Sequence, residues 1–457
     1  MTQSSDTQSG KLPFAMKRAA MTPAATTPAA KKPVTMTLAE KIVAKASGRD
    51  HVRPGEIVTC KVDLAMIHDS GGPRRVKPIL DRLGTGLWDA DKVVLITDHY
   101  VPADNDETRQ IADVTRTFAA NHRLRHFYDG LGICHVVLPE RGHLRPGMFV
   151  VGGDSHSPTG GAFGVYMFGI GATEMAGVLA TGEIWLRVPD TIRVEWNGAF
   201  NPGVVAKDMM LFLCARLGME GGRTQAVEYC GDAMAGLPMQ ERMTLSNMTA
   251  EIGGQTGLIA PDETTAAYIR KAGGDPGDIS PWCTDANAAV AEHHVFDAGE
   301  LVPHVAAPHS PANSHPVADI GNTAIDVAYI GACTGAKLVD LRMAAKILRG
   351  RKAAPSVKLI VAPASRRDQE AAESEGVLQT LLDAGAQLYP NSCSICAGYG
   401  GTLEENTVCL SSTARNFKGR MGPASAQVYL GSPYTVAASA IAGRIIDPRE
   451  FLDGAAR

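Results

Sequence analysis

Short apolar runs alternate with longer amphipathic stretches from Met36 onward. The runs at 92–96, 148–151 and 327–330 have the length and the β-branched content of buried strands, whereas 337–348 has helical spacing. Such alternation is typical of stacked β-α units around mainly parallel sheets. The pattern therefore predicts an α/β fold.

Changes in composition divide the chain into five segments. Residues 1–36 are rich in Pro, Thr and Ala without an apolar core, which predicts a disordered N-terminal extension; the alternative, a transit peptide, is opposed by its prolines. The rest is predicted to contain α/β domain 1 (37–190), α/β domain 2 (191–300), a linker (301–321) and α/β domain 3 (322–457). The histidines of the linker stand in a proline-broken spacing that gives metal ligands no register.

Composition and charge argue against several classes of partner. The chain has 457 residues, 20% of them charged, and a net charge of -4, which provides no field suited to nucleic acid or to an anionic membrane. No apolar run approaches the ~20 residues that span a bilayer. Nine cysteines without the dense framework of a small secreted protein favour a reducing compartment. We therefore predict a cytoplasmic protein that binds neither nucleic acid nor membrane.

Three of the cysteines have a spacing that suggests a metal site. Cys393 and Cys396 form a Cys-x-x-Cys turn, and Cys333 follows the predicted strand 327–330. A structural zinc site uses four protein ligands, whereas an iron-sulfur cubane held by three thiolates leaves one iron open, and an open iron is a Lewis acid. A chance arrangement, a redox pair and a zinc site stay open as alternatives.

Polar residues follow two of the predicted strands, where ligands of parallel sheets gather. Asp98 and His99 could form a general acid with its orienting carboxylate, or Asp98 could simply cap a turn. Asp154, Ser155 and His156 are flanked by glycines, as in a ligand-binding loop or in a tight turn.

Four further residues could face the same cleft. His135 lies inside the apolar run 132–140, and Glu251 lies among small and apolar neighbours, so each is either partnered in the core or directed at a cleft. Arg415 and Arg420 come after another predicted strand. Guanidinium groups bind carboxylates through paired hydrogen bonds, but two solvated surface arginines would have the same pattern.

The order of these motifs resembles the aconitase superfamily, most closely the large subunits of 3-isopropylmalate dehydratase and homoaconitase. The resemblance extends from residue 36 to about residue 451. The matching residues are Thr97-Asp98-His99, Gly152-Gly153-Asp154-Ser155-His156, Gly161-Ala162-Phe163-Gly164, Asn247-Met248 with Glu251, Ala260-Pro261-Asp262-Glu263-Thr264-Thr265, Cys333-Thr334, Cys393-x-x-Cys396 and Arg415-Asn416-Phe417-x-Gly419-Arg420. The resemblance implies three α/β/α domains of the aconitase type, without the swivelling fourth domain.

The resemblance also implies three groups of residues around one reaction centre. The ligands of a [4Fe-4S] cluster would be Cys333, Cys393 and Cys396, with Asn247 as a neighbour. The acid side, which protonates the departing hydroxyl, would consist of Asp98, His99, His135, Asp154, His156 and Glu251. The substrate carboxylates would bind Ser155, Arg415 and Arg420.

The implied function is that of a hydro-lyase (dehydratase or isomerase) large subunit that acts on a hydroxy di- or tricarboxylic acid. Homoaconitase, methylmalate dehydratase and dimethylmalate dehydratase are alternatives within this class, and a non-catalytic iron-sulfur sensor is the alternative from another class. Because the chain stops at Arg457, soon after the third domain, the resemblance implies a small subunit that carries the swivelling domain and its serine base.

The chain departs from the family pattern beside the cysteines. Gly335 and Ala414 stand where relatives usually have asparagine, and Asn391-Ser392 replaces a glycine-rich approach to the Cys-x-x-Cys turn. Since neighbouring hydrogen bonds tune such centres, these departures predict a changed cluster environment and a divergent substrate.

Overall fold

The computed structural model describes residues 34–393, 395–399 and 402–452, and this part of the chain contains twelve α-helices and eighteen strands. The helices are α1 (Leu38–Ser47), α2 (Pro73–Leu83), α3 (Asp106–Asn121), α4 (Cys134–Glu140), α5 (Ala172–Thr181), α6 (Ala206–Leu217), α7 (Met239–Met248), α8 (Glu263–Lys271), α9 (Leu338–Leu348), α10 (Arg366–Ser374), α11 (Val377–Asp383) and α12 (Pro433–Ala442). The strands are β1 (Ile57–Lys61), β2 (Leu64–His68), β3 (Val93–Thr97), β4 (His126–Asp129), β5 (Phe149–Gly152), β6 (Tyr166–Gly169), β7 (Glu183–Arg187), β8 (Thr191–Asn197), β9 (Ala226–Cys230), β10 (Thr256–Ile259), β11 (Glu292–Asp297), β12 (His304–Ala306), β13 (Ser314–Pro316), β14 (Val327–Ile330), β15 (Lys358–Val361), β16 (Gln387–Leu388), β17 (Val408–Ser411) and β18 (Gln427–Leu430).

These strands form three larger sheets and one ribbon. The first sheet has the order β4-β3-β2-β5-β6 and the second β10-β9-β8-β11, and all of their pairs are parallel. The third has the order β13-β12-β18-β17-β14-β15-β16 and is antiparallel only at β12-β13 and β12-β18. Strands β1 and β7 form the antiparallel ribbon. The predicted α/β fold with mainly parallel sheets is therefore confirmed.

The central strands of the first and third sheets are buried on both faces. Every residue of β2, β3, β5 and β14 is buried, which explains why the sequence shows continuous apolar runs there instead of alternation. Because these strands are buried along their whole length, the polar residues that follow them lie at the edge of the sheet, beyond the last strand residue. The candidate residues of the site therefore come at the carboxyl ends of strands.

Among the described residues, no helix combines the length and apolar character that crossing a membrane requires.

Two local predictions need correction, and one apolar run that had no predicted secondary structure is a helix. The run 132–140 contains helix α4, because its seven helical residues stack a buried apolar face against the first sheet's core. The predicted linker 301–321 contains β12 and β13, which extend the third sheet; its prolines are tolerated because an edge strand needs fewer N–H donors. Met36, at the end of the predicted disordered extension, donates its N–H to Asp285 at 2.8 Å. Residues 1–33 lie outside the described residues, and the domain boundaries stay a prediction.

The first and second sheets meet at a close backbone contact. The 3-10 segment Ser157–Phe163, directly after His156, packs against β10. A Cβ atom at Gly161 would lie 1.9 Å from the carbonyl oxygen of Gly257 in β10. Only glycine allows this approach, which joins the loop of His156 to the second sheet.

We expect Gly161→Ala to lower the free energy of unfolding by about 2 to 3 kcal/mol, since the methyl group would force backbone apart. Gly177→Ala in α5 is the matched control because a Cβ there meets nothing within 4 Å; it should stabilise by about 0.5 to 1 kcal/mol. Urea unfolding followed by circular dichroism measures both, and a Gly161→Ala protein as stable as the parent would contradict the close contact.

Candidate active site

A buried carboxylate fixes the loop that follows β3. Asp69, directly after β2, accepts hydrogen bonds from the backbone N–H groups of His99 at 3.1 Å and Tyr100 at 2.9 Å, and a longer one from Asp98 at 3.4 Å. The pairing of β2 with β3 brings the two strand ends side by side. Asp69 therefore fixes the backbone of Asp98 and His99 independently of the contacts that their side chains make.

Asp98 and His99 form a tight buried pair. Oδ1 of Asp98 lies 2.6 Å from Nδ1 of His99, and its Oδ2 accepts the N–H of Cys134 at the start of α4 at 2.8 Å. Burial alone would lower the pKa of His99, but the carboxylates of Asp98 and Asp154 outweigh it and raise the pKa to about 10. Nε2 of His99 stays clear of Asp98 and lies 3.8 Å from Oδ2 of Asp154. The imidazole of His99 is therefore protonated on both nitrogens, and positively charged, at neutral pH.

Two more imidazole-carboxylate pairs lie beside it. Nε2 of His135, from α4, is 2.7 Å from Oδ1 of Asp154, which also accepts the N–H of His156 at 2.7 Å. Nε2 of His156 is 2.9 Å from Oε1 of Glu251. Burial would raise the pKa of Asp154, yet the charges and hydrogen bonds of His135 and His156 hold it well below its usual range. The three histidines thus each have a carboxylate partner.

Arg415 connects this acid side to the third sheet. It follows β17, and its Nε donates to Oε1 of Glu251 at 2.6 Å while its Nη1 donates to Oγ of Ser155 at 2.8 Å. Burial would raise the pKa of Glu251, but the hydrogen bond from His156 and the charge of Arg415 lower it. Glu251 is therefore ionised and orients both neighbours.

The three predicted ligand cysteines lie close enough to affect one another's titration. Burial and the charge of Cys396 raise the pKa of Cys333 to about 12. A hydrogen bond with Cys396 raises the pKa of Cys393 well above its usual value. The hydrogen bond from Cys393 and the charge of Arg420 lower the pKa of Cys396. Cys333 belongs to a cluster of buried hydrophobic residues against which Cys393 packs, and Cys396 follows Cys393 by three residues.

Two hydrogen bonds connect the thiols to the acid side. The backbone N–H of Cys393 donates to the carbonyl of Asp98 at 2.9 Å. Nδ2 of Asn247 donates to Sγ of Cys333 at 3.2 Å and to Thr159 at 2.8 Å. These contacts link the loops of Cys333 and Cys393 to the acid side; residue 394, inside the Cys-x-x-Cys turn, lies outside the described residues.

The donor set fits an iron-sulfur group. Three thiols are the soft ligands that iron-sulfur clusters prefer. Within the described part of the chain, four of the predicted site residues have a buried polar atom without a hydrogen-bond partner: His135 Nδ1, Asn247 Oδ1, Glu251 Oε2 and Arg420 Nε. Buried polar atoms are almost always satisfied, so these atoms indicate room for a bound group and a polar substrate.

His68, the last residue of β2, also belongs to the site, although it was not predicted. The ring of His68 stacks on that of His99 with centroids 4.3 Å apart, and its Nε2 lies 2.9 Å from the carbonyl of Gly153. Burial and the neighbouring His99 lower the pKa of His68. The signal was present in the sequence, because His68 and Asp69 directly follow an apolar run, as Asp98 and His99 do.

Two buried lysines hold the loops around Cys333. Nζ of Lys207, on α6, donates to the carbonyls of Ser412 and Thr413, and burial lowers its pKa to about 8. Nζ of Lys337 donates to the carbonyl of Cys333 at 3.0 Å. Lysine is rarely buried completely, and nothing in the helical pattern around either residue indicates it.

The structure also explains one departure from the family pattern. A Cβ at Gly335 would lie 2.1 Å from Oγ of Ser412, so Ser412 occupies the space that a side chain there would need. Ser412 accepts the N–H of Gly331 at 3.0 Å and donates to its carbonyl at 3.1 Å. Ala414 packs into the core beside the second sheet. A serine from the neighbouring strand thus orders the loop of Cys333 from the opposite side.

A model of the aconitase family (aconitate hydratase) matches residues 40–323 and 318–443. This chain belongs to the aconitase family. The 3-isopropylmalate dehydratase large subunit 1 of Methanopyrus kandleri is 43% identical over 418 residues, which cover 91% of this chain and 99% of that protein. The probable 3-isopropylmalate dehydratase large subunit of Methanothermobacter thermautotrophicus is 43% identical over 417 residues, with the same shares covered. A crystal structure of Thermococcus kodakaraensis aconitase X (holo-form) superposes with a TM-score of 0.44 and 12% identity over 78% of this chain and 84% of that chain.

The aconitase-family match confirms the resemblance that the motif order suggested. It spans all three predicted α/β regions and includes the loops after β3, β5, β14 and β17.

The Asp98-His99 pair should contribute stability that depends on pH. The folded pKa of His99, about 10, lies above its unfolded value of about 6.5, so the contribution is full below pH 6.5 and is lost as the pH rises towards 10. We expect the stability difference between the parent and His99→Gln to shrink by up to about 1.4 kcal/mol per pH unit in this range.

Urea unfolding at pH 6, 7, 8, 9 and 10 measures this difference. His51→Gln, at an exposed histidine, is the control and should follow the parent throughout. A stability difference between the parent and His99→Gln that stays constant with pH would contradict the protonated pair.

Proposed function

We propose that this chain is the large subunit of a [4Fe-4S]-dependent hydro-lyase of the 3-isopropylmalate dehydratase type, acting on a hydroxy di- or tricarboxylic acid. The observation that carries the proposal is the hydrogen bond from the N–H of Cys393 to the carbonyl of Asp98 at 2.9 Å, because it joins the thiol loops to the acid side. The identity of 43% to relatives named as 3-isopropylmalate dehydratase large subunits supports the same reaction.

Cys333, Cys393 and Cys396 would hold the cluster, with Asn247 hydrogen-bonded to Cys333. A bound [4Fe-4S] cluster supplies an open iron, a Lewis acid that assists departure of the substrate hydroxyl. Asn247 keeps one amide oxygen unpartnered among the described residues, and this oxygen can accept a hydrogen bond at the centre.

His99 is the best-placed proton donor for the leaving hydroxyl. Asp98 binds Nδ1 of the ring, so the transferable proton is on Nε2. A hydroxide ion is a poor leaving group and a far stronger base than imidazole, so transfer from an acid with a pKa of about 10 is favourable. Asp154, held by His135 and His156, lies next to Nε2 and keeps the ring protonated before the reaction.

The arginines would orient the carboxylates of the substrate. Glu251 and Ser155 hold Arg415 in place, and Arg420 lies beside Cys396 with its Nε unpartnered among the described residues. A guanidinium group binds a carboxylate with two parallel hydrogen bonds. Two such groups on one loop, next to the thiols, suit a substrate with at least two carboxylates.

Removal of the proton next to a carboxylate requires a base. We place this base, a serine, on a small subunit that carries the swivelling domain, and the name "large subunit" of the relatives supports a second chain. The partner would also close the cleft and exclude water. The charge and composition of the chain fit a cytoplasmic enzyme that binds neither nucleic acid nor membrane.

Within this class, homoaconitase, methylmalate and dimethylmalate dehydratase activities compete with 3-isopropylmalate dehydratase activity, because Gly335 and Ala414 depart from the usual pattern. A non-catalytic iron-sulfur sensor would need neither a protonated His99 nor an oriented Arg415. The buried Asp98-His99 pair and the Glu251-Arg415 contact therefore favour the enzyme.

We expect Cys333→Ser, Cys393→Ser and Cys396→Ser each to abolish stable iron and sulfide binding after anaerobic reconstitution, because three thiolates are the fewest that hold a cubane with one open iron. Cys283→Ser is the control, since Cys283 is exposed and outside the site. Iron and sulfide analysis with visible absorption measures the result. Zinc without sulfide in the parent protein would contradict the cluster.

The reconstituted chain, mixed with its small subunit, should dehydrate at least one member of a panel of 3-isopropylmalate, homocitrate, citrate, methylmalate and dimethylmalate. The chain alone should be inactive because we place the base on the small subunit. His99→Gln should lower kcat by about 10²- to 10⁴-fold, the range for loss of a general acid. Inactivity across the panel would favour the sensor, and full activity of the lone chain would refute the need for a partner.

A further inference from the structure

A second cavity, of about 490 Å³, lies beside the carboxyl ends of β8 and β11. None of its lining residues belongs to the candidate active site. Its volume falls in the range of small-molecule sites, about 300 to 1,000 Å³. Parallel strands place ligands at their carboxyl ends, so the position is one where a ligand is expected.

Aromatic rings form the wall of this cavity. Trp196 and Phe296 are register partners on neighbouring strands, with ring centroids 4.9 Å apart, and Phe212 of α6 packs edge-on against Trp196 at 5.7 Å. Leu301 and Val302 continue the apolar surface. A short aliphatic or aromatic group could be enclosed by these side chains.

The indole of Trp196 carries an unsatisfied donor. The side chain is 1% exposed, and its buried Nε1–H has no hydrogen-bond partner among the described residues. A buried donor without a partner costs about 1 to 3 kcal/mol. The indole of Trp196 therefore forms the buried back of the cavity wall and is not one of the ligand's polar contacts.

Charges of both signs lie at the mouth of the cavity. Arg216, in the last turn of α6, is exposed and forms none of the described ion pairs. Asp297 is the last residue of β11 and Glu300 follows three residues later; Oδ1 of Asp297 accepts the N–H of Gly299 at 2.8 Å. A cation on one element and two carboxylates on another suit a ligand that carries an anionic and a cationic group.

We propose that this cavity binds an α-amino acid with an apolar side chain. The apolar side chain lies against Phe212, Phe296 and Leu301, which line the cavity. The carboxylate pairs with Arg216, and the ammonium group pairs with Asp297 and Glu300. The site is separate from the dehydratase chemistry, so it stands or falls independently of the proposed function.

The test uses the full chain, reconstituted with its cluster, in calorimetric titrations and in titrations of tryptophan fluorescence. The probes are leucine, phenylalanine and methionine, with glycine, isoamylamine and 4-methylpentanoate to remove the side chain, the carboxylate and the ammonium group in turn. At least one apolar amino acid should bind with a dissociation constant below about 1 mM. Each truncated probe should bind at least tenfold more weakly.

Variants at the mouth and the wall assign the site. Arg216→Gln and Asp297→Asn change exposed side chains and should each weaken binding about tenfold, and Trp196→Phe should remove the fluorescence response. Trp185→Phe is the control, since Trp185 is 68% exposed and does not line the cavity. Absence of saturable binding by all three amino acids, or binding unchanged in Arg216→Gln and Asp297→Asn, would overturn the proposal, as would loss of binding when the small subunit covers this face.

Discussion

The buried carboxylate of Glu251 joins the three sheets, and the candidate site depends on it. One of its oxygens accepts hydrogen bonds from His156, which follows a strand of the first sheet, and from Arg415, which follows a strand of the third. Glu251 itself lies in the 3-10 turn Thr249–Ile252 that precedes β10 of the second sheet. A buried carboxylate without such donors would be strongly unfavourable, so the loops of His156 and Arg415 must meet the turn of Glu251 in the folded chain.

This convergence explains why the site is both polar and buried. Asp69 fixes the loop of His99 by accepting hydrogen bonds from its backbone N–H groups. Cys393 donates its own N–H to the carbonyl of Asp98 in that loop. Lys207 connects helix α6 to the loop after β17 in the same way. The side chains that would do chemistry are therefore oriented by residues that do none, which is how a precise site is kept in place.

The strands and the residues that follow them could be predicted because apolar runs mark buried strands and ligands gather at strand ends. The contact partners of these residues could not be predicted. Arg415 and Glu251 are 164 positions apart, and only the packing of separate sheets brings them together. The burial of Lys207 was invisible because its acceptors are carbonyl groups, which every residue has. The strands inside 301–321 were missed because prolines suggested a linker, although an edge strand tolerates them.

The central claim is that three thiolates hold a cluster with one open iron at the acid side. Mössbauer spectroscopy of the ⁵⁷Fe-reconstituted chain, recorded before and after a substrate is added, tests it most directly. The account predicts that about one quarter of the iron signal shifts when the hydroxy acid binds, because only the iron without a thiolate can accept a new ligand. A spectrum in which all of the iron stays unchanged with a hydroxy acid that the enzyme turns over would contradict it.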